Sequence, residues 1–313
     1  MSEQGQNYIG VALSGSHVRA ALVDSSGQIL ERREAEVSPE NLVEQVAKIS
    51  RDLSSNSKVE AIGIAIPGLV NRQTDSVISS RFPSAVGEKI HGEFTRATGS
   101  RVEIENDANA AAYGEFKVGA GAGCRDLFYM MIGEGIGGAI ILDGKLWTGS
   151  SGFAGEVGHI TIDTEGLECI CGNTGCLETV ASAPSIVRRA RERLNRDSTS
   201  SLSRLGLKRN FTADDVAHQA NEGDDFALMM IERTGKYIGT GVASVINLLN
   251  IERIVLGGGV MDAGQLILNP IIQEAKRRAF LSCFEATEIV AAKLGTDAVP
   301  IGAALLARDA ATT

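Results

Sequence analysis

Three short apolar runs open the chain: YIGVAL (8–13), HVRAALVD (17–24) and QILERREA (28–35), with Asp24-Ser25-Ser26-Gly27 between the second and third. This spacing predicts a β-meander. In residues 40–53, Leu42, Val43, Val46, Ile49 and Leu53 recur on one helical face. A buried strand at 59–66 ends at Pro67-Gly68. A helix over 88–98, a strand over 101–106 and a helix over 108–116 follow. The second half repeats this order. Residues 127–132 and 139–142 read as strands separated by a glycine turn at 133–138, and Asp143-Gly144 marks a hairpin. Helices are expected at 184–195, 212–220 (capped by Thr212) and 225–249, the last with Ile231, Ile238, Val242, Val245, Ile246 and Leu249 inward. A strand at 253–256, a helix at 265–280, a strand at 288–294 and a terminal helix at 300–308 complete the pattern, with DSTSSLS (197–203) as a surface loop. Two similar α/β halves imply a cleft between them, where ligands bind.

Composition narrows the function classes. The 313 residues are 43% hydrophobic and 22% charged, the balance of a soluble globular protein. A net charge of −9 with no basic run argues against a nucleic-acid partner. No apolar stretch is long enough to span a membrane, and MSEQGQ carries no export signal, so a cytoplasmic location is expected.

Two places carry candidate chemistry. Asp107 follows an apolar strand and precedes a helix, which puts a carboxylate at the carboxyl end of a strand and near a helix dipole. It reads either as a helix cap or as a catalytic base, and Asn106 beside it adds an amide suited to hydroxyl groups. Cys169, Cys171 and Cys176, with His159 ten residues upstream, supply one nitrogen and three sulfurs. That is the donor set of a closed structural zinc site, and Gly172 and Gly175 permit the sharp turns it needs. Cys124 and Cys283 are isolated and read as reduced structural thiols. The turn Ser14-Gly15-Ser16 is either an ordinary hairpin turn or a set of N–H groups offered to an anion.

With these pieces placed, the sequence resembles the ROK family, named for repressors, open reading frames and kinases, and within it the bacterial glucokinases. The resemblance rests on ENDANAAAYGE (105–115), GFAGEVGHI (152–160), CICGNTGCLE (169–178) and IVLGGG (254–259), in family order over nearly the whole chain. It implies an α/β actin-like ATPase fold of duplicated domains with a central cleft. The expected division is 1–117 plus 298–313 for the smaller domain and 118–297 for the larger, which carries the zinc insert. By motif, Asp107 is the base that takes the proton of a hexose 6-hydroxyl. Asn106, Asp107, Glu156, His159, Glu178 and Gly68 bind the sugar, with His159 also a zinc ligand. The nucleotide loops are Ser14, Gly15 and Ser16; Gly133, Glu134, Gly135 and Gly137; and Gly257, Gly258 and Gly259. The resemblance therefore implies ATP and Mg2+ with a structural Zn2+, small-molecule partners only, and a homodimer.

Two positions depart from the family pattern. Its first loop reads D-x-G-G-T, whereas Ala12-Leu13-Ser14-Gly15-Ser16 places alanine where an aspartate helps hold Mg2+–ATP. Its second reads G-T-G-x-G-G, and here Glu134 replaces the hydroxyl. A carboxylate aimed at a phosphate in a dry cleft costs several kcal/mol, and far less in water. Two readings follow: a working ATP-dependent hexokinase, or a sugar-binding or sensing protein on the kinase fold. A DNA-binding repressor is disfavoured, because the first strand starts at about Tyr8 where family repressors carry a helix-turn-helix domain. The loops around Pro67-Gly68 and Arg81-Phe82-Pro83 are expected to set which sugar fits, and the second diverges from the family.

Overall fold

In the computed structural model the three opening runs form strands β1 (Asn7–Leu13), β2 (His17–Asp24) and β3 (Ile29–Glu36). Residues 5–71, 74, 76–87, 89–194, 199–206 and 210–312 are described. Helix α1 (Leu42–Ser54) buries Leu42, Val46, Ile49 and Leu53 as their spacing requires. Strand β4 (Val59–Ile66) follows, then a hairpin of β5 (Gly68–Asn71) and β6 (Ser76–Ser80) that the hydrophobic pattern missed. Helix α2 (Ile90–Thr98), strand β7 (Val102–Asn106) and helix α3 (Asp107–Val118) complete this stretch. The sheet runs β3-β2-β1-β4-β7, with the meander antiparallel and β1, β4 and β7 parallel.

Strand β8 (Leu127–Ile132) is followed by β9 (Ile136–Leu142) and β10 (Lys145–Trp147). The strand thus starts inside the expected 133–138 turn. Gly138 belongs to it because a Cβ there would lie 2.5 Å from the carbonyl oxygen of Gly155. Next come α4 (Glu178–Ala181), α5 (Ala183–Leu194), α6 (Ser201–Gly206), α7 (Ala213–Asn221), α8 (Asp225–Leu249), β11 (Arg253–Gly257), α9 (Gln265–Arg278), α10 (Leu281–Glu285), β12 (Glu288–Ala291) and α11 (Ala298–Thr312). The second sheet runs β10-β9-β8-β11-β12, the same plan as the first, as the repeated pattern predicts.

Several boundaries differ from expectation. Residues 201–206 are helical rather than loop, because Asp224 accepts hydrogen bonds from the Ser200 hydroxyl and from both the hydroxyl and N–H of Ser201. The rest of that run up to residue 198 lies outside the described residues. Helix 265–280 stops at Arg278 and a separate α10 follows. Strand 288–294 stops at Ala291, since Lys293 and Leu294 give their N–H groups to Glu115.

The chain divides into two compact units. One comprises Met1–Arg125, Ala139–Ala154 and Lys293–Thr313, the other Asp126–Gly138 and Gly155–Ala292. In the first, α11 packs on β1, β4 and α3 at backbone distance. A Cβ at Gly10 would meet the carbonyl oxygen of Pro300 at 1.7 Å, and one at Gly302 that of Ala110 at 1.7 Å. Glu115, fully buried on α3, accepts the N–H groups of Ala120, Lys293 and Leu294 at 2.7, 2.9 and 2.7 Å. Glu115→Ala orphans three donors at about 1–3 kcal/mol each. The expected loss of about 3–5 kcal/mol is read from the denaturant midpoint, and a shift below about 1 kcal/mol contradicts the role.

Candidate functional site

Strand β7 delivers Glu105 and Asn106 to the start of α3. Asn106, extended in backbone, caps the helix: its Oδ1 accepts the N–H of Asn109 at 3.0 Å. Its Nδ2 donates to the carbonyl oxygen of Gly68 at 2.9 Å, which ties the β5–β6 hairpin to this corner. Glu105, buried beneath, accepts the Asn106 N–H at 2.9 Å and the Asn109 amide at 3.0 Å. The cap is therefore Asn106, and Asp107 is the first residue of the helix. Its half-buried side chain stands in the first turn, where Oδ1 accepts the Ala108 N–H at 3.0 Å. Gly68 has φ of +136°, and a Cβ there would lie 2.0 Å from the carbonyl oxygen of Ser79. Hairpin closure alone thus requires glycine at 68.

In the same unit, Ser14, Gly15 and Ser16 form the turn between β1 and β2. The Ser14 hydroxyl donates to the carbonyl oxygen of His17 at 2.9 Å and accepts its N–H at 3.0 Å. The Ser16 hydroxyl meets His17 Nδ1 at 2.8 Å. Ala12 lies inside β1, paired with Arg19 on β2 and Ala65 on β4, and offers only a methyl group.

The second unit gathers the cysteine cluster. Gly172 (φ +87°) and Gly175 (φ +71°) turn the chain, and a Cβ at Gly175 would lie 1.5 Å from the carbonyl oxygen of Asp163. The Cys169 N–H donates to the Asn173 carbonyl oxygen at 2.8 Å, closing the loop. The donor atoms of His159, Cys169, Cys171 and Cys176 all lie within 4.8 Å of one another. Cys171 Sγ and Cys176 Sγ are 3.7 Å apart, and Cys169 Sγ and His159 Nδ1 are 3.5 Å apart. Tetrahedral zinc bonds of about 2.3 Å to sulfur and about 2.05 Å to nitrogen give edges of about 3.8 and 3.5 Å. The four residues therefore fit zinc in donor type and in spacing. Burial, with the neighbouring thiols, pushes the Cys176 thiol up to about 12. The Asn173 N–H lowers that of exposed Cys171.

Glu156 sits at the start of the short turn Val157–His159, and its Oε2 lies 3.9 Å from His159 Nε2. Burial raises the Glu156 carboxyl, opposed by His159 and reinforced by Glu178. Glu178, at the head of α4, accepts the Ile136 N–H at 2.7 Å. The Ala183 N–H donates to the Gly133 carbonyl oxygen at 2.8 Å. The segment after the cysteines thus grips the 133–138 loop at both ends, and a Cβ at Gly158 would lie 2.1 Å from the Ile136 carbonyl oxygen.

Glu134 is exposed and lines a cavity of about 470 Å³ with Pro184, Arg188, Arg191, Phe211 and Thr212. In water a carboxylate 4 Å from a charge feels about 1 kcal/mol, so repulsion by Glu134 falls at the low end of what its sequence position implied. Arg191 stacks over the Phe211 ring at 5.4 Å. The motifs gave no sign of these cavity residues, because they come from helices outside every glycine run. The third glycine run splits by role. Gly257 and Gly258 are required by β8, with Cβ positions 2.2 Å from Tyr129 Oη and 2.3 Å from the Ile132 carbonyl oxygen. Gly259 faces open space, and its short turn packs on α7, whose first residue, Ala213, lines the cavity.

Known proteins share this whole plan. The ROK family profile matches residues 8–310. The glucokinase of Halalkalibacterium halodurans is 34% identical, over 96% of this chain and 95% of its own length. The ROK family glucokinase of Streptomyces griseus, solved with glucose and AMPPNP, is 33% identical with a TM-score of 0.87, over 97% of this chain and 99% of its own. The xylose repressor of Caldicellulosiruptor bescii is 28% identical, over 94% of this chain and 76% of its own length. With the actin-like ATPase α/β fold, the motifs in order and a match over nearly its full length, the chain belongs to the ROK family.

Proposed function

We propose that the protein transfers the γ-phosphoryl group of Mg2+–ATP to the 6-hydroxyl of a glucose-like hexose. The observation that carries this reading is the division of labour at α3: Asn106 caps the helix by accepting the Asn109 N–H, and the neighbouring Asp107 carboxylate is held in the first turn by the Ala108 N–H. Asp107 accepts the hydroxyl proton as the sugar oxygen bonds to phosphorus and the bond to the ADP oxygen breaks. Asn106 keeps one amide N–H and one lone pair for a ring hydroxyl beyond its two bonds. Glu156, His159 and Glu178 supply acceptors and a donor for the remaining hydroxyls, and a mismatched sugar leaves them unpaired at large cost.

His159, Cys169, Cys171 and Cys176 hold a structural Zn2+. Zinc bound there supplies a closed brace with no hydrolytic position. Ligation through His159 Nδ1, the atom facing Cys169, leaves the proton on Nε2, which faces Glu156 as a donor. By family motif, the loops at 14–16, 133–137 and 257–259 are those assigned to the nucleotide.

A sugar sensor without turnover is the second reading, favoured by Ala12 and by similarity to a xylose repressor. A coupled ADP-release assay with Mg2+–ATP and a hexose panel, beside calorimetry of sugar binding, separates the two. Turnover at ordinary kinase rates, roughly 1–100 per second, supports the kinase. Tight sugar binding without turnover, with activity gained in the double variant Ala12→Asp, Glu134→Thr, overturns it.

A further inference from the structure

Arg81 belongs to the 81–83 loop expected to bear on which sugar fits, and its own surroundings point to a second task. It follows β6 and is fixed from both sides along the chain. The Ser80 hydroxyl donates to the Pro67 carbonyl oxygen at 2.8 Å, the Phe82 N–H donates to Ser80 Oγ at 3.1 Å, and Phe82 is buried in the core of the unit. The side chain between them is exposed, and its guanidinium makes no ion pair or hydrogen bond among the described residues. It reaches the β1–β2 turn instead: a Cβ built on Gly15 would lie 3.6 Å from Arg81 Nη1.

The turn has its own unsatisfied donors. The N–H of Ser14 goes to the His17 carbonyl oxygen and that of His17 to the Ser14 hydroxyl. Those of Gly15 and Ser16 have no acceptor among the described residues. Two adjacent N–H groups with no acceptor among the described residues, in a turn beside a guanidinium, are donors of the kind that bind an anion, and a planar guanidinium matches phosphate oxygens two at a time. At position 12 of β1, where the family pattern has an aspartate, this chain has alanine, which neither repels an anion nor recruits a cation.

We propose that Arg81 is a phosphate-binding residue: its guanidinium, with the Gly15 and Ser16 N–H groups, holds a terminal phosphoryl group directly. It thereby supplies from the protein the positive charge that a carboxylate-held Mg2+ supplies where this loop begins with aspartate. The inference deepens the kinase reading, since the phosphoryl group is that of the nucleotide, but the site binds phosphate whether or not transfer occurs. It also fits the altered first loop, which lacks the aspartate at position 12 and has the Arg81 guanidinium beside Gly15.

Calorimetry with inorganic pyrophosphate, with no Mg2+ added, tests the site without turnover. Wild-type protein is compared with Arg81→Ala and Arg81→Lys, with glucose binding and the thermal midpoint measured on each. Removing one hydrogen bond to a charged group weakens binding by about 10–100-fold. Arg81→Ala is expected to lose pyrophosphate affinity by that factor, with the lysine variant intermediate and the thermal midpoint unchanged. Pyrophosphate affinity within about twofold of wild type in Arg81→Ala, well under the factor expected for one such bond, overturns the proposal, as does a loss fully restored by neither charge nor shape but tracking a lower thermal midpoint. If the wild-type protein binds glucose and pyrophosphate but never turns over, the kinase reading fails while the Arg81 site stands on this measurement.

Discussion

Asp107→Asn is expected to lower kcat by about two to four orders of magnitude, the range a positioned general base contributes, with little change in glucose affinity or stability. The local geometry separates chemistry from folding at this corner. Were Asp107 the helix cap, asparagine would replace it at no cost and alanine would cost about 1 kcal/mol. The cap is Asn106, whose Oδ1 takes the Asn109 N–H at 3.0 Å, and the one bond of Asp107 to the helix, from the Ala108 N–H to Oδ1 at 3.0 Å, is one an asparagine amide oxygen also accepts. Asparagine keeps the shape and hydrogen-bonding reach of the side chain and removes only its capacity to accept a proton. Asn106→Ala has the opposite signature. It loses the cap and the bond to the Gly68 carbonyl oxygen, so stability falls together with sugar affinity. A kcat for Asp107→Asn within about threefold of wild type, far short of a base's contribution, contradicts the assignment.

Removing metal is expected to weaken glucose binding by about 10–100-fold, the range seen when support behind a ligand is lost, and to lower the thermal midpoint. Elemental analysis is expected to find about one zinc per chain. The cysteine loop is held by few apolar contacts: Ile170 is 94% exposed and Leu167 is 47% exposed. Its shape rests on backbone hydrogen bonds and on the four donors within 4.8 Å. A bound ion would join all four donors at once, and its removal takes that cross-link from the loop. The consequence reaches the sugar side through His159, whose ring faces Cys169 with one nitrogen and Glu156 with the other. It reaches the 133–138 loop through Glu178, two residues after Cys176, which holds the Ile136 N–H. Chelation and Cys176→Ser are two routes to the same state and are expected to give the same loss. A folded, metal-free protein with undiminished glucose affinity contradicts the role of the cluster.

How far the sequence reached follows from where each signal lies. The cysteine cluster was legible because its four donors fall within 18 consecutive residues, 159–176, and chain spacing alone nearly dictates their meeting. The two sheets were legible from apolar runs of ordinary strand length. The β5–β6 hairpin was not, because its strands are four and five residues long and no alternation marks them. Its purpose is tertiary, with Gly68 tied to Asn106 thirty-eight positions away. The start of β9 was misread as turn because Gly137 and Gly138 look like turn residues, whereas Gly138 is glycine to clear the Gly155 backbone. Residues 201–206 looked like a polar loop until Asp224 supplied acceptors for the serines. Glu115 lies inside a recognised motif, yet its task concerns Lys293 and Leu294, which no local pattern connects to it. Arg81 is the same case: its neighbour Gly15 is 66 positions earlier. Positions 12 and 134 were legible as departures, but only the surroundings of Glu134 show that its carboxylate is solvated.

The central claim is phosphoryl transfer to a hexose with Asp107 as the base. Product analysis by phosphorus NMR, on wild-type protein and Asp107→Asn incubated with glucose and Mg2+–ATP, tests it most directly. A hexose 6-phosphate is expected to form in step with ADP with the wild-type protein, and at most about one hundredth as fast with the variant. Glucose bound by the wild-type protein with no phosphate ester formed, or equal product from both proteins, contradicts it.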